Sequence, residues 1–138
     1  LKMANEQIRV KAILEILGSP KDHVEETMKV VISKAKENFK LLSEKTYETQ
    51  EIDGLWSTFS EIEISFKNID EITGFCFNFM PSSVEIMEPI NFSFKCNDIA
   101  NMFNDLLGKL HRYDMVVKNM HAENVILKKK LEQSSAAK

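Results

Sequence analysis

The segment Asn97–Glu132 reads NDIANMFNDLLGKLHRYDMVVKNMHAENVILKKKLE, and its spacing decides how the chain is organised. Every seventh residue from Ile99 gives Ile99, Leu106, Tyr113, Met120 and Leu127; every seventh from Phe103 gives Phe103, Leu110, Val117, Asn124 and Leu131. The two series interleave in steps of four and three, which is the apolar seam of a coiled coil. The Ile99 series takes heptad position d and the Phe103 series position a. Nine of the ten seam residues are apolar and the exception is Asn124. In a parallel pair each g residue faces the e residue five positions on in the partner. Lys109 would then meet Asp114 and Glu123 would meet Lys128, opposite charges in both cases, while Met102 and Leu107 widen the seam near its start. A single Asn at an a position fixes register and favours two parallel strands. Facing an apolar residue in an antiparallel pair it would lie unsatisfied, at roughly 1–3 kcal/mol.

The competing reading is one amphipathic helix packed on its own domain. A helix of ~33 residues is about 50 Å long, longer than a domain of ~95 residues is wide. Its far half therefore needs a partner, or stands in water with its seam exposed. Val125 and Ile126 at b and c, and Met115 at f, lie outside the seam. They read as scattered surface residues or as a second contact face.

The 138 residues allow one domain with an appendage, and 43% apolar with 28% charged residues is ordinary for a globular chain. We expect a domain over residues 1–95, a coiled-coil helix over 96–133 and a frayed tail over 134–138. The net charge of −3 divides unevenly: the first 95 residues carry 11 basic and 16 acidic side chains, the remaining 43 carry 7 and 5. An acidic domain with a weakly basic helix is a poor footprint for nucleic acid, which demands a dense basic face. Lys128, Lys129 and Lys130 read instead as a solvated helix face. Cys76 and Cys96 lack CxxC spacing and follow no signal peptide, so free thiols in a reducing cytoplasm are expected. No apolar run is long enough to span a bilayer.

Upstream, Ile8, Val10, Ala12, Leu14 and Ile16 alternate with Arg9, Lys11, Ile13, Glu15 and Leu17, a strand that Gly18 ends. Ser19 then Pro20 predicts a helix start, cap followed by first-turn proline. Asp22, Glu25 and Glu26 suit its positive end, and Val24, Met28, Val31 and Ala35 form its apolar stripe to about Asn38. Residues 39–51 predict a second strand, and Asp53-Gly54 a hairpin turn. In the third strand Trp56, Thr58, Ser60, Ile62, Ile64 and Phe66 share the face expected to be buried. Asn68 with Glu71 resembles a capping box. Ile69, Ile72, Cys76 and Phe79 mark the inner side of a short helix, which Pro81 breaks. Val84–Glu88 is the fourth strand. Ile90, Phe92 and Phe94 continue in extended alternation beyond Pro89, and Asn97 caps the long helix.

The order βαββαβ predicts a ferredoxin-like α+β domain: a four-stranded antiparallel sheet, two helices on one face, and the first and third strands central. Those two central strands are expected to run parallel to each other.

Chemistry-bearing clusters are sparse. Asp22, His23, Glu25 and Glu26 read as dipole-complementing charges at a helix start. His111 with Asp114, or His121 beside the seam, fall short of the four convergent ligands of a structural zinc site, so no metal and no cofactor is expected. Glu61 and Glu63 share a strand face, about 6–7 Å apart, and read as the wet side of a sheet rather than an acid–base pair. Cys76 among Phe75, Phe77 and Phe79 reads as a buried inert thiol. Gly18 and Ser19, at a strand-to-helix junction, are a speculative ligand loop, since helix-start amides can hold an anion or carboxylate.

GFCFNFMPSSVEIMEP at Gly74–Pro89, followed by LLGKLHRYDMVVKN at Leu106–Asn119, resembles small uncharacterised archaeal proteins that join a ferredoxin-like domain to a C-terminal coiled-coil helix. The element order and the Gly18 loop also resemble ACT-type ligand-binding domains, without their wider glycine pattern. We expect a non-enzymatic, cytoplasmic homo-oligomer, a parallel dimer joined through the C-terminal helix, that serves as an interaction or scaffold module, with another protein as a candidate further partner. An ACT-like sensor of small ligands is the first alternative and a nucleic-acid-associated protein the second; no membrane partner is expected.

Overall fold

The computed structural model describes residues 7–136. Strand β1 (Ile8–Gly18) is continuously paired, antiparallel, with β4 (Leu55–Phe66), from Ile8 opposite Phe66 to Gly18 opposite Trp56. Both strands alternate with period two, so one register turns both apolar sets to the same side. Ile8, Val10, Ala12 and Leu14 are buried there with Ile62, Ile64 and Phe66. Helices α1 (Lys21–Asn38) and α2 (Ile69–Phe79) cover that side, contributing Met28, Ile32, Ile72 and Phe75 to one core. The inner stripe of α1 is Val24, Met28, Ile32 and Ala35. Ile32 takes the place expected for Val31, which is half-buried at the edge of the core.

The remaining strands are β2 (Lys40–Thr46), β3 (Gln50–Ile52) and β5 (Ser83–Glu88), and the sheet order is β2-β4-β1-β5 with β3 also on β4. The sheet therefore has five strands, not four. The expected second strand breaks at 47–49, where Thr49 turns inward, is buried, and donates to Glu25 Oε2 on α1 at 3.0 Å. The central strands β1 and β4 are antiparallel, not parallel as expected. The α1 crossover sets β2 in the same direction as β1 one place away, and the following hairpin reverses β4 into the gap between them. The hairpin turn is the one expected: Asp53 and Gly54 have φ of 51° and 82°, both positive as a two-residue type I′ turn requires.

Local signals set the other boundaries. Asn68 Oδ1 accepts from the Glu71 amide at 2.9 Å, and Glu71 Oε2 accepts from the Lys67 amide at 2.7 Å, closing the start of α2. At α1 the N-cap is Pro20, not Ser19, and its carbonyl accepts from the Val24 amide at 3.1 Å. No extended strand follows Pro89. The register explains this: Glu88 already sits opposite Arg9, so a longer β5 would run past the start of β1. Phe39, at the α1–β2 junction, packs edge-on against Phe66, Phe75 and Phe79 at 5.4, 5.6 and 6.0 Å.

The chain divides into two units between Phe92 and Ser93. The second unit holds α3 (Cys96–Ala136), 41 residues of continuous helix and about 60 Å long. Asn97 is not its cap: the Lys95 carbonyl accepts from the Asp98 and Ile99 amides at 3.0 and 3.3 Å, so Asn97 lies within the first turn. Ser134, Ser135 and Ala136 are helical where a frayed tail was expected, and Ala137 and Lys138 lie outside the described residues.

Candidate functional site

On α3, repeated steps of four and three set Ile99, Phe103, Leu106, Leu110, Tyr113, Val117, Met120, Asn124, Leu127 and Leu131 along one stripe of a regular helix. None of its side chains is buried. In the distal half Val117, Met120, Leu127 and Leu131 are 63%, 61%, 56% and 68% exposed. Fully burying side chains of this kind gains about 1.5–3 kcal/mol each. Leu107 at e and Val116 at g, both at least half exposed, border the seam and broaden it. Heptad spacing identified Leu107; Val116 follows from the same register. Asp114 accepts an ion pair from Lys118 at 2.7 Å on its own helix, one turn on, as i,i+4 charges do.

The loop proposed from sequence is differently occupied. Gly18 is the last residue of β1, opposite Trp56, and Ser19 is exposed before the helix. A Cβ on Gly18 would lie 3.5 Å from Val24 Cγ2, an ordinary contact, so space does not demand glycine there. The Lys21 ammonium lies 5.3 Å above the Trp56 ring beside the same junction.

The charged face of the sheet is internally matched. Arg9 bridges Glu63 Oε2 at 3.2 Å and Glu88 Oε1 at 3.3 Å, and Lys11 reaches Glu61 Oε1 at 3.5 Å. The Glu63 hydrogen bond, then that of Glu88, raises the Arg9 guanidinium above its ordinary value. Glu61 and Glu63 thus each answer a cation from β1. Among the described residues, no three His, Cys, Asp or Glu side chains converge as metal ligands would. Both cysteines are free; Cys76 is half-buried rather than fully buried, and that burial pushes its thiol up, away from the reactive thiolate.

A cleft of about 420 Å³ opens between α1 and the β2–β4 edge. Thr46, Thr49 and Thr58 bring hydroxyl side chains to its lining. Thr46 Oγ1 and Ser60 Oγ are 2.7 Å apart, as their direct pairing across the strands dictates. Thr49 Oγ1 donates to Glu25, which lines the cleft from α1. Lys36 Nζ pairs with Glu44 Oε1 at 2.9 Å across its outer end. Thr58 is 1% exposed, and its Oγ1 has no hydrogen-bond partner among the described residues. No cluster in the sequence marked this cleft. The legible signal was local: Thr58 and Ser60 occupy core-facing positions in line with Ile62, Ile64 and Phe66.

No helix among the described residues is long and apolar enough to cross a membrane. A family model described as the MJ0538 family matches residues 9–136, which takes in β1 through to the last described turn of α3. No curated protein and no solved structure matches the chain.

Proposed function

The chain belongs to the MJ0538 family, and we propose that it acts as a non-enzymatic interaction module that pairs with a second copy of itself through α3. The observation that carries this reading is a 41-residue helix with no buried side chain and a continuous heptad seam. The partner is argued from the helix itself. In a parallel twin, Glu123 at g meets Lys128 at e with opposite charge, and Asn124 meets Asn124, the one arrangement in which its amide is answered in kind. Val117, Met120, Leu127 and Leu131, exposed seam residues spread over about four helical turns, supply the burial. The family match includes the helix together with the sheet unit.

The sheet order β2-β4-β1-β5, with both helices on one side, supports a ferredoxin-like reading of the first unit once β2 and β3 are taken as one interrupted edge strand. The two free thiols fit the reducing cytoplasm. Light scattering over a dilution series tests the pairing. A mass of twice 15.9 kDa that persists on dilution is expected. A monomer would overturn self-association and assign the seam to a different chain.

A further inference from the structure

We propose that the open face of the sheet, around Phe59, is a second contact between two copies of this chain, in which Glu15 of each copy meets Lys45 of the other. The inference rests on the pairing through α3 and adds a surface to it. It begins on the side of the sheet away from α1 and α2. Near the start of β1 that face is charged and matched: Arg9 answers Glu63 and Glu88, and Lys11 answers Glu61. Towards the other end of the same strands it turns apolar. Ile16 packs on the core and Thr58 is buried, so Leu17 and Phe59 point to the open side. Leu17 is 61% and Ile52 50% exposed, with Leu55 and Phe59 exposed beside them. The register makes these one patch. Ile52 lies opposite Leu55, and Leu17 lies opposite Ser57, between Leu55 and Phe59; the Tyr47 ring stacks on Phe59 at 4.5 Å. A contiguous exposed apolar patch with a charged rim marks a contact surface. The edges of the sheet are less suited to a partner: each edge strand carries an extra residue, Leu42 on β2 and Met87 on β5, and such irregularities blunt strand addition.

The charges on either side of Phe59 select the occupant. Glu15 lies directly opposite Phe59 on β1. On the other side, the Lys45 ammonium lies 4.7 Å from the centre of the Tyr47 ring that stacks on Phe59. Both are exposed, and neither has an ion pair among the described residues. The row across the sheet therefore runs carboxylate, Phe59, Tyr47, ammonium, and it complements itself. Because β4 lies between β1 and β2, a twofold axis parallel to β4 beside Phe59 lays β1 of each copy over β2 of the other. Each Glu15 then faces the other copy's Lys45, while Phe59 and Leu55 meet their counterparts on the axis. An axis across the strands would instead set Glu15 on Glu15 and Lys45 on Lys45. Five apolar side chains fall short of the roughly 20–30 residues a side of a free-standing interface, so the contact forms only between units already held together. Residues 89–95 join β5 to α3 and span at most about 25 Å. A parallel α3 pair thus holds two sheet units at high effective concentration. Single-stranded nucleic acid also stacks on the exposed rings of an open sheet, but Glu15, Glu61 and Glu63 on this face oppose phosphate.

The experiment measures the dimer dissociation constant of the full chain by sedimentation over a dilution series at low salt. Glu15→Lys and Lys45→Glu should each weaken the pair at least tenfold, because each sets like charges against one another across the contact. The two together exchange the charges and should restore the constant to within threefold of the parent. Phe59→Ser should weaken the pair at least tenfold, and the charge exchange should not rescue it. Urea midpoints check that each variant keeps a folded sheet unit. A doubled mass whose dissociation constant is indifferent to all of these variants overturns the sheet contact and leaves the pairing through α3 standing; a monomeric parent overturns both. Single reversals that weaken the pair without recovery in the double exchange overturn the meeting of Glu15 with Lys45. Binding of an oligothymidine that Phe59→Ser removes would overturn the second copy as the occupant of this face.

Discussion

On β4, Ile62, Ile64 and Phe66 are fully buried, while on α3 Leu110, Val117 and Leu127 stand more than half exposed. The two regions have similar apolar side chains and treat them in opposite ways. The difference lies in how each pattern can be closed. A strand alternating with period two needs only a layer on one side, and α1 and α2 provide it within about a dozen residues of each strand. On the proposed reading the heptad stripe of a helix of about 60 Å is closed only by a partner of similar length, which no other described element matches. The backbone of α3 satisfies its own hydrogen bonds; its seam does not satisfy itself.

The largest effect should come from charging that seam. Leu110→Glu with Val117→Glu would place four unpaired carboxylates in a paired interface, each costing several kcal/mol. The mass should fall to that of one chain even at high concentration, while the sheet unit keeps its near-ultraviolet signal. A doubled mass that survives both substitutions would erase the contrast between the regions, because another surface would then hold the pair. The reverse probe is Phe75→Ala. Phe75 is fully buried among Phe39, Phe66 and Phe79, at 5.6, 5.6 and 5.2 Å. Its removal should cost about 3–5 kcal/mol of unfolding free energy, read by urea titration, and leave the doubled mass unchanged. Loss of pairing in this variant would mean that the two units are energetically one.

Much of this contrast was legible in the residues. Alternation in Ile8–Ile16 and in Trp56–Phe66 placed both central strands and chose their inner faces, because a buried face punishes a one-residue slip. Asp53-Gly54 fixed the hairpin, and Asn68 with Glu71 fixed the start of α2, since each relies on contacts within four residues. What failed depends on distant partners. The break at 47–49 answers to Glu25 on α1, more than twenty residues away. The end of β5 is set by where β1 begins. The antiparallel direction of β4 follows from the hairpin filling the gap the first crossover leaves. The cleft was hidden for the same reason. Glu25, Thr49 and Thr58 line one cleft only in three dimensions; seen alone, Glu25 reads as a helix-start charge and Thr49 and Thr58 as strand residues.

A smaller effect tests whether the sheet unit depends on its local signals. Asn68→Ala removes the acceptor of the Glu71 amide and should cost about 1 kcal/mol. Urea midpoints for parent and variant check this, with an unchanged slope showing that the unfolded state is the same. A loss of 3 kcal/mol or more would mean that α2 lacks the tertiary support the core assigns to it, and would bring the sheet unit closer to α3 in character.

The smallest effect is the most direct reading of the environment of α3. The Asp114–Lys118 pair is more than half exposed on both sides, and exposed i,i+4 pairs contribute about 0.3–0.5 kcal/mol. Lys118→Ala should therefore change helix stability by a few tenths of a kcal/mol at low salt and by nothing measurable at about 1 M salt, where the screening length is about 3 Å. Asp114, however, sits at position e, beside the seam. If the helices pair in parallel, the Lys109 ammonium of the second copy competes for the same carboxylate, so freeing Asp114 from Lys118 releases it to the interface. The two costs then oppose each other, and Lys118→Ala should leave dimer dissociation unchanged or slightly slower while an isolated α3 peptide loses helicity. Faster dissociation in the variant would place Lys118 itself at the interface. Position b would then face the partner, and the seam would have to be redrawn through Val125, the exposed apolar residue at the next b position.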